Sequence, residues 1–120
     1  LIAEDNGINL DMLKELLKEE GAACDCAKNG MAAVDLFRHS KKGQYDLIFM
    51  DVQMPDMDGY EATRAIRQMK HPDAKDIPIV AMTANAFSND VKAAFDCGMN
   101  AHLAKPVNID RIKDIVANFT

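Results

Sequence analysis

Four short stretches of this chain lead an apolar run into a residue capable of ionic chemistry. Leu1-Ile2-Ala3 runs into Glu4 and Asp5, and Leu47-Ile48-Phe49-Met50 runs into Asp51. Ile77 to Met82 ends at Thr83, and Ala101 to Ala104 ends at Lys105. Brought together, these ends would place three carboxylates, a hydroxyl and an ammonium in one site. Carboxylates so close repel, and at least one pKa rises unless a cation sits among them. Mg²⁺ suits the set, because it takes hard oxygen ligands, keeps waters and leaves room for a phosphate oxygen. Mn²⁺ is the alternative ion, with the same taste for oxygen. A divalent ion leaves one net negative charge on the three acids, and the Lys105 ammonium neutralises it. Such a site can accept a phosphoryl group, since carboxylate attack on phosphorus needs its equatorial oxygens neutralised by metal, ammonium, hydroxyl and backbone N–H groups. Asp51 is the best nucleophile, alone at the end of the central apolar run with a turn after it to admit a donor. Any one of these acids alone reads as an ordinary helix cap.

The elements that must position these residues are legible as repeated β–α units. After Leu1–Ala3, Asn6 can cap a helix to about Glu20, with Leu10, Leu13, Leu16 and Leu17 at helical spacing and Gly21 as the stop. A short strand from Ala22 to Cys26 precedes a helix near Gly30 to His39, capped by Asn29 and expected to bury Val34, Leu36 and Phe37. The third apolar run is unbroken, as a parallel strand covered on both faces requires. A helix from about Tyr60 to Met69 follows the turn residues Pro55 and Gly59. Then come the strand to Thr83, a helix from Phe87 to Cys97, the strand before Lys105, and a last helix capped by Asn108. Five such units predict an α/β fold with an open parallel sheet and helices on both faces. Ligands in these sheets bind beyond the carboxyl ends of the strands, where Glu4, Asp5, Asp51, Thr83 and Lys105 all fall.

Composition narrows the function. At 120 residues the chain fits one domain, with the first strand expected to be slightly truncated. A net charge of -5 argues against a nucleic-acid surface. No apolar run approaches the ~20 residues of a membrane span, so a cytoplasmic domain without direct membrane contact is expected. Three cysteines, Cys24, Cys26 and Cys97, make neither a disulfide framework nor a zinc site and read as free thiols. His39 and His71 lie in breaker-rich connections and read as solvent-facing.

Glu4-Asp5-Asn6, Asp51-x-Gln53-Met54-Pro55-x-Met57-Asp58-Gly59, Thr83-Ala84-Asn85-Ala86 and Lys105-Pro106 together resemble the receiver domains of response regulators and hybrid sensor histidine kinases. The resemblance covers essentially the whole chain. It implies a flavodoxin-like doubly wound (βα)5 three-layer sandwich with strand order 2-1-3-4-5. It implies that Asp51 is the phosphoacceptor in a Mg²⁺-dependent reaction, that Glu4, Asp5 and the Gln53 backbone carbonyl join Asp51 around the metal, and that Thr83 and Lys105 contact the phosphoryl group. Pro106 would hold the following loop, and the Gln53 and Asn85 side chains would tune acyl-phosphate hydrolysis. Donor and partner would be a histidine kinase or a histidine phosphotransfer domain, with a phosphorylation-dependent dimer as a further option. The parent protein would be a hybrid kinase, which could tether the domain to the inner membrane, or alternatively a stand-alone regulator. The family's switch position, three residues before the lysine and usually Tyr or Phe, is His102 here, so a switching ring and a merely half-exposed histidine are both open readings. Asp58 reads as a helix cap and Asp56 as a surface residue.

A phosphatase of the haloacid dehalogenase type also uses an Asp nucleophile with Mg²⁺, but it needs a second Asp two positions on. Gln53 stands there, so no general acid is available for turnover.

Overall fold

The computed structural model describes residues 1–54, 56–84, 88–105 and 107–119, and only the backbone of 88–90. Pro55, Asn85, Ala86, Phe87 and Pro106, and with them the roles expected of Asn85 and Pro106 and the start expected at Phe87, lie outside the described residues.

Strands β1 (Ile2–Ala3), β2 (Cys26–Ala27), β3 (Ile48–Asp51), β4 (Ile79–Thr83) and β5 (Ala101–Ala104) alternate with helices α1 (Gly7–Glu19), α2 (Gly30–Arg38), α3 (Gly59–Gln68), α4 (Ser88–Cys97) and α5 (Ile109–Phe119). All strand pairs are parallel, in the order β2-β1-β3-β4-β5. The expected α/β sheet and its order are therefore observed.

Side chains on a strand alternate between faces, so a sheet with helices on both sides must be apolar at every position. β3 and β4 obey this rule up to their last residues, Asp51 and Thr83. Ile48, Met50, Ile79 and Ala81 join one core with Val34 and Phe37 of α2 and Ile66 of α3. Phe49, Val80 and Met82 join the opposite core with Leu10, Leu13 and Leu17 of α1 and Ile112 and Ile115 of α5. Three layers result. Ile48 is fully buried, and truncating it to Ala is expected to cost roughly 2–5 kcal/mol.

The helices begin where the sequence places oxygen-bearing caps. Asn6 accepts from the backbone N–H groups of Ile8 and Asn9, Asn29 from Ala32, Asp58 from Glu61 and Asn108 from Arg111. Three expectations need correction. Leu36 is exposed, because it sits some 200° around the helix from Val34 and so turns outward. The second strand is shorter than Ala22–Cys26, since only Cys26 and Ala27 pair with β1. His71 is half-buried rather than solvent-facing: its Nδ1 accepts from the Asp73 N–H at 3.0 Å, its Nε2 lies 2.8 Å from the Ser40 carbonyl, and its ring packs on Phe37. It ties the α3–β4 connection to the end of α2.

Strand order reverses about β1, with β2 on one side and β3 on the other. Helices leave in opposite directions there, and the gap opens above the carboxyl ends of β1 and β3.

Candidate functional site

Glu4 follows β1, Asp51 ends β3, Thr83 ends β4 and Lys105 follows β5. The register holds these ends level. Glu4 donates its N–H to the Ala27 carbonyl at 3.0 Å, and Lys105 donates its N–H to the Thr83 carbonyl at 2.8 Å. They line a cleft of about 400 Å³ together with Asp5, Asn6, Gln53 and Ala84.

Glu4 and Asp51 are almost completely buried, at 2% and 3% exposure, while Asp5 is exposed. Carboxylates do not stay buried unpaired, because desolvation penalises their charge. Lys105 Nζ lies 3.0 Å from Glu4 Oε2 and 3.0 Å from Asp51 Oδ2, bridging the two. Their other oxygens meet backbone donors: Glu4 Oε1 accepts from the Asn6 N–H at 3.1 Å, and Asp51 Oδ1 from the Gln53 N–H at 3.2 Å.

One ammonium does not balance these acids. Burial first, and then the hydrogen bond to Glu4, push the Asp51 carboxyl up to about 7 against the pull of Lys105. For Lys105 burial acts downward, but Glu4 and Asp51 outweigh it and leave its pKa raised. The site thus demands further positive charge. Glu4, Asp5 and Asp51 each offer an oxygen, all within 4.8 Å of one another, a hard-oxygen set that fits Mg²⁺. Metal, phosphoryl oxygens and Lys105 can then share one small volume.

Among the described residues the structure brings together Glu4, Asp5, Asp51, Gln53, Thr83 and Lys105 as expected. His102 lies lower on β5, half-buried, with its ring edge-on to Phe95 at 6.5 Å between centroids. Asp58 caps α3 as expected. Asp56 is exposed as expected, but its backbone takes a left-handed φ of 67°. The part played by the Asn6 N–H in holding Glu4 was not legible, because Asn6 reads as a cap and nothing in sequence reveals that its amide also faces an acid.

A doubly wound parallel sheet with three acids, a threonine and a lysine at its carboxyl edge defines a class of α/β phosphoacceptor domains. Comparison with known proteins sharpens the class to a family. The response regulator receiver domain family model matches residues 1–117, and the chain belongs to that family. It is 42% identical over 121 residues to hybrid signal transduction histidine kinase B of Dictyostelium discoideum, covering 93% of this chain and 6% of that protein. It is 37% identical over 121 residues to the sensor histidine kinase GacS of Pseudomonas protegens, covering 100% of this chain and 13% of that one. The chain thus spans a small part of these relatives' length. Among solved structures it resembles the receiver domain of a Pseudomonas aeruginosa sensor histidine kinase, which holds a magnesium ion in its active-site cleft (TM-score 0.87, 33% identity, 98% of this chain and 93% of that one). It is also similar to the receiver domain of a Saccharomyces cerevisiae response regulator crystallised with a histidine phosphotransfer protein (TM-score 0.85, 32% identity, 98% and 85%). The chain is a response regulator receiver domain, and its Glu4, Asp5 and Asp51 form a set that could hold a metal ion.

Proposed function

We propose that Asp51 is the phosphoacceptor of this receiver and that residues 1–120 form one such unit. The observation that carries this is the Lys105 ammonium, 3.0 Å from both Glu4 and Asp51, at the point where a transferred phosphoryl group would need its charge met. A carboxylate oxygen of Asp51 forms the O–P bond while the P–N bond to a donor histidine breaks, and the bonding pair returns to the ring nitrogen. Lys105 and the Thr83 hydroxyl meet the equatorial oxygens, and the Gln53 N–H orients the Asp51 carboxylate. Glu4, Asp5, Asp51 and the Gln53 carbonyl would hold Mg²⁺, which supplies charge neutralisation at the phosphoryl group when bound.

Donor and partner are a histidine kinase or a histidine phosphotransfer domain, in keeping with the yeast complex. The relatives favour a hybrid kinase as the parent, with a stand-alone regulator second. No described helix is long and apolar enough to cross a membrane, and together with the acidic charge this supports a cytoplasmic domain that binds neither nucleic acid nor lipid. We assign it no turnover as an enzyme beyond gaining and losing its own phosphoryl group, with Gln53 and Asn85 setting the lifetime and Pro106 the loop. Phosphorylation draws Thr83 inward and offers space to the His102 ring, changing partner affinity and permitting a dimer. Incubation with acetyl phosphate and Mg²⁺ should add one acid-labile phosphoryl group per chain, and none to Asp51→Asn. Equal labelling of the variant would overturn the assignment.

A further inference from the structure

Six residues beyond Asp51 the connection to α3 bends back, and the Met57 carbonyl rests against the first residue of α2. A Cβ built on Gly30 would lie 2.4 Å from the Met57 carbonyl oxygen and 3.0 Å from its Cγ. Real carbon atoms do not approach that closely, so any side chain at Gly30 would push the two apart by about 0.6 Å or more, the gap between 2.4 and 3.0 Å. Gly30 does not have a positive φ, unlike Gly21, Gly43 and Gly98, so its own backbone makes no demand for glycine. As a helix former, alanine would serve α2 better by up to about 1 kcal/mol. What requires glycine here is the loop.

That loop holds the reacting acid. At its base the Gly59 N–H donates to the Val52 carbonyl at 2.9 Å, and a Cβ on Gly59 would lie 2.3 Å from the Asp51 carbonyl oxygen. The Gln53 N–H donates to Asp51 Oδ1 at 3.2 Å, so the path of the loop and the aim of the carboxylate are linked. Asp56 turns the chain through a left-handed φ of 67°, which delivers Met57 to α2. The loop is therefore fixed at two points, its base at Gly59 and its return at Gly30.

We propose that Gly30 is a positioning residue for metal binding and phosphoryl transfer: its missing side chain seats the Met57 carbonyl and thereby sets where Gln53 and Asp51 present their oxygens. This rests on the reading of Asp51 and the Gln53 carbonyl as metal ligands. Mg²⁺ tolerates little departure from octahedral geometry, so a displaced loop weakens it sharply. Residues that orient metal ligands cost 10–100-fold in affinity when altered.

The test is calorimetric titration of the purified chain with Mg²⁺, paired with amide hydrogen exchange of the metal-free protein. Gly30→Ala should weaken Mg²⁺ about tenfold and speed exchange at the Gly59 N–H, with labelling by acetyl phosphate restored at high Mg²⁺. Gly7→Ala, at the matching first position of α1 with nothing within 4 Å of its Cβ, should leave all three unchanged. Met57→Gly frees the backbone that carries the seated carbonyl without creating overlap and should shift affinity and exchange in the same direction by less, so it decides the matter if Gly30→Ala does not fold. A folded Gly30→Ala or Met57→Gly with wild-type affinity and exchange would overturn the inference while leaving the site assignment intact, as would an equal loss in Gly7→Ala. Failure of the wild-type chain to bind Mg²⁺ would overturn the assignment itself and the inference with it.

Discussion

Replacing Asp51 by Asn should stabilise the metal-free protein, and increasingly so as pH rises. Asp51 is 3% exposed and its carboxyl is pushed from an ordinary 3.8 up to about 7, by burial first and the bond to Glu4 next. The folded state therefore binds this proton more tightly than the unfolded chain. Between pH 4 and pH 7 stability falls as pH rises, because folding must discharge a carboxylate that water would keep charged. At about 1.4 kcal/mol per unit, the penalty at pH 8 is on the order of 4 kcal/mol and at pH 5 about 2. Asn cannot ionise and keeps the shape, so the advantage of Asp51→Asn should grow by about 2–3 kcal/mol between pH 5 and pH 8. That difference is the firm observable, since fixed differences between an amide and a neutral carboxyl cancel in it. Lys105 works against the effect by holding the charged form, but its pull is already contained in the value of about 7. The assay is urea unfolding followed by circular dichroism, in EDTA, at both pH values. Mg²⁺ at 100 times its Kd should then add about 2.7 kcal/mol to the wild type at pH 8 and much less to the variant. A variant no more stable than the wild type at pH 8, or an advantage that does not change with pH, would refute the account of a charge-starved site.

Two further outcomes follow from groups outside the cleft. Thr63 Oγ1 is buried on α3 without a hydrogen-bond partner among the described residues, so Thr63→Val, which swaps this hydroxyl for a methyl, should raise stability by about 1 kcal/mol in the same assay; a loss would mean the hydroxyl is satisfied in solution. Tyr45 donates to Asp25 at 2.7 Å, and burial together with that bond pushes its phenol up to about 12. Its folded pKa lies above the unfolded one, so its contribution is intact below pH 10 and is lost as pH rises toward 12. Absorbance at 295 nm should show a late tyrosine ionisation that Tyr45→Phe abolishes, and persistence of that phase in the variant would count against the assignment.

The amino-acid sequence by itself determined the alternation of units, the caps and the family. The apolar runs Leu47–Met50 and Ile77–Met82 read as strands of a parallel sheet covered on both faces, which placed the residues that follow them, Asp51 and Thr83, at the carboxyl edge of the sheet. The four motifs then named Glu4, Asp5, Asp51, Thr83 and Lys105 together. Local pattern failed where neighbours decide. Leu36 is apolar yet turned outward, β2 shrinks to the two residues that pair with β1, and His71 is recruited as a clasp by Ser40 and Asp73. Tertiary structure alone decided that Lys105 bridges Glu4 and Asp51, that the Asn6 N–H holds Glu4, and that Gly30 seats the Met57 carbonyl. The physical reason is that strand and helix periodicities are local and written along the chain. Distances between atoms on different strands are fixed only when register and packing bring the sheet edges together.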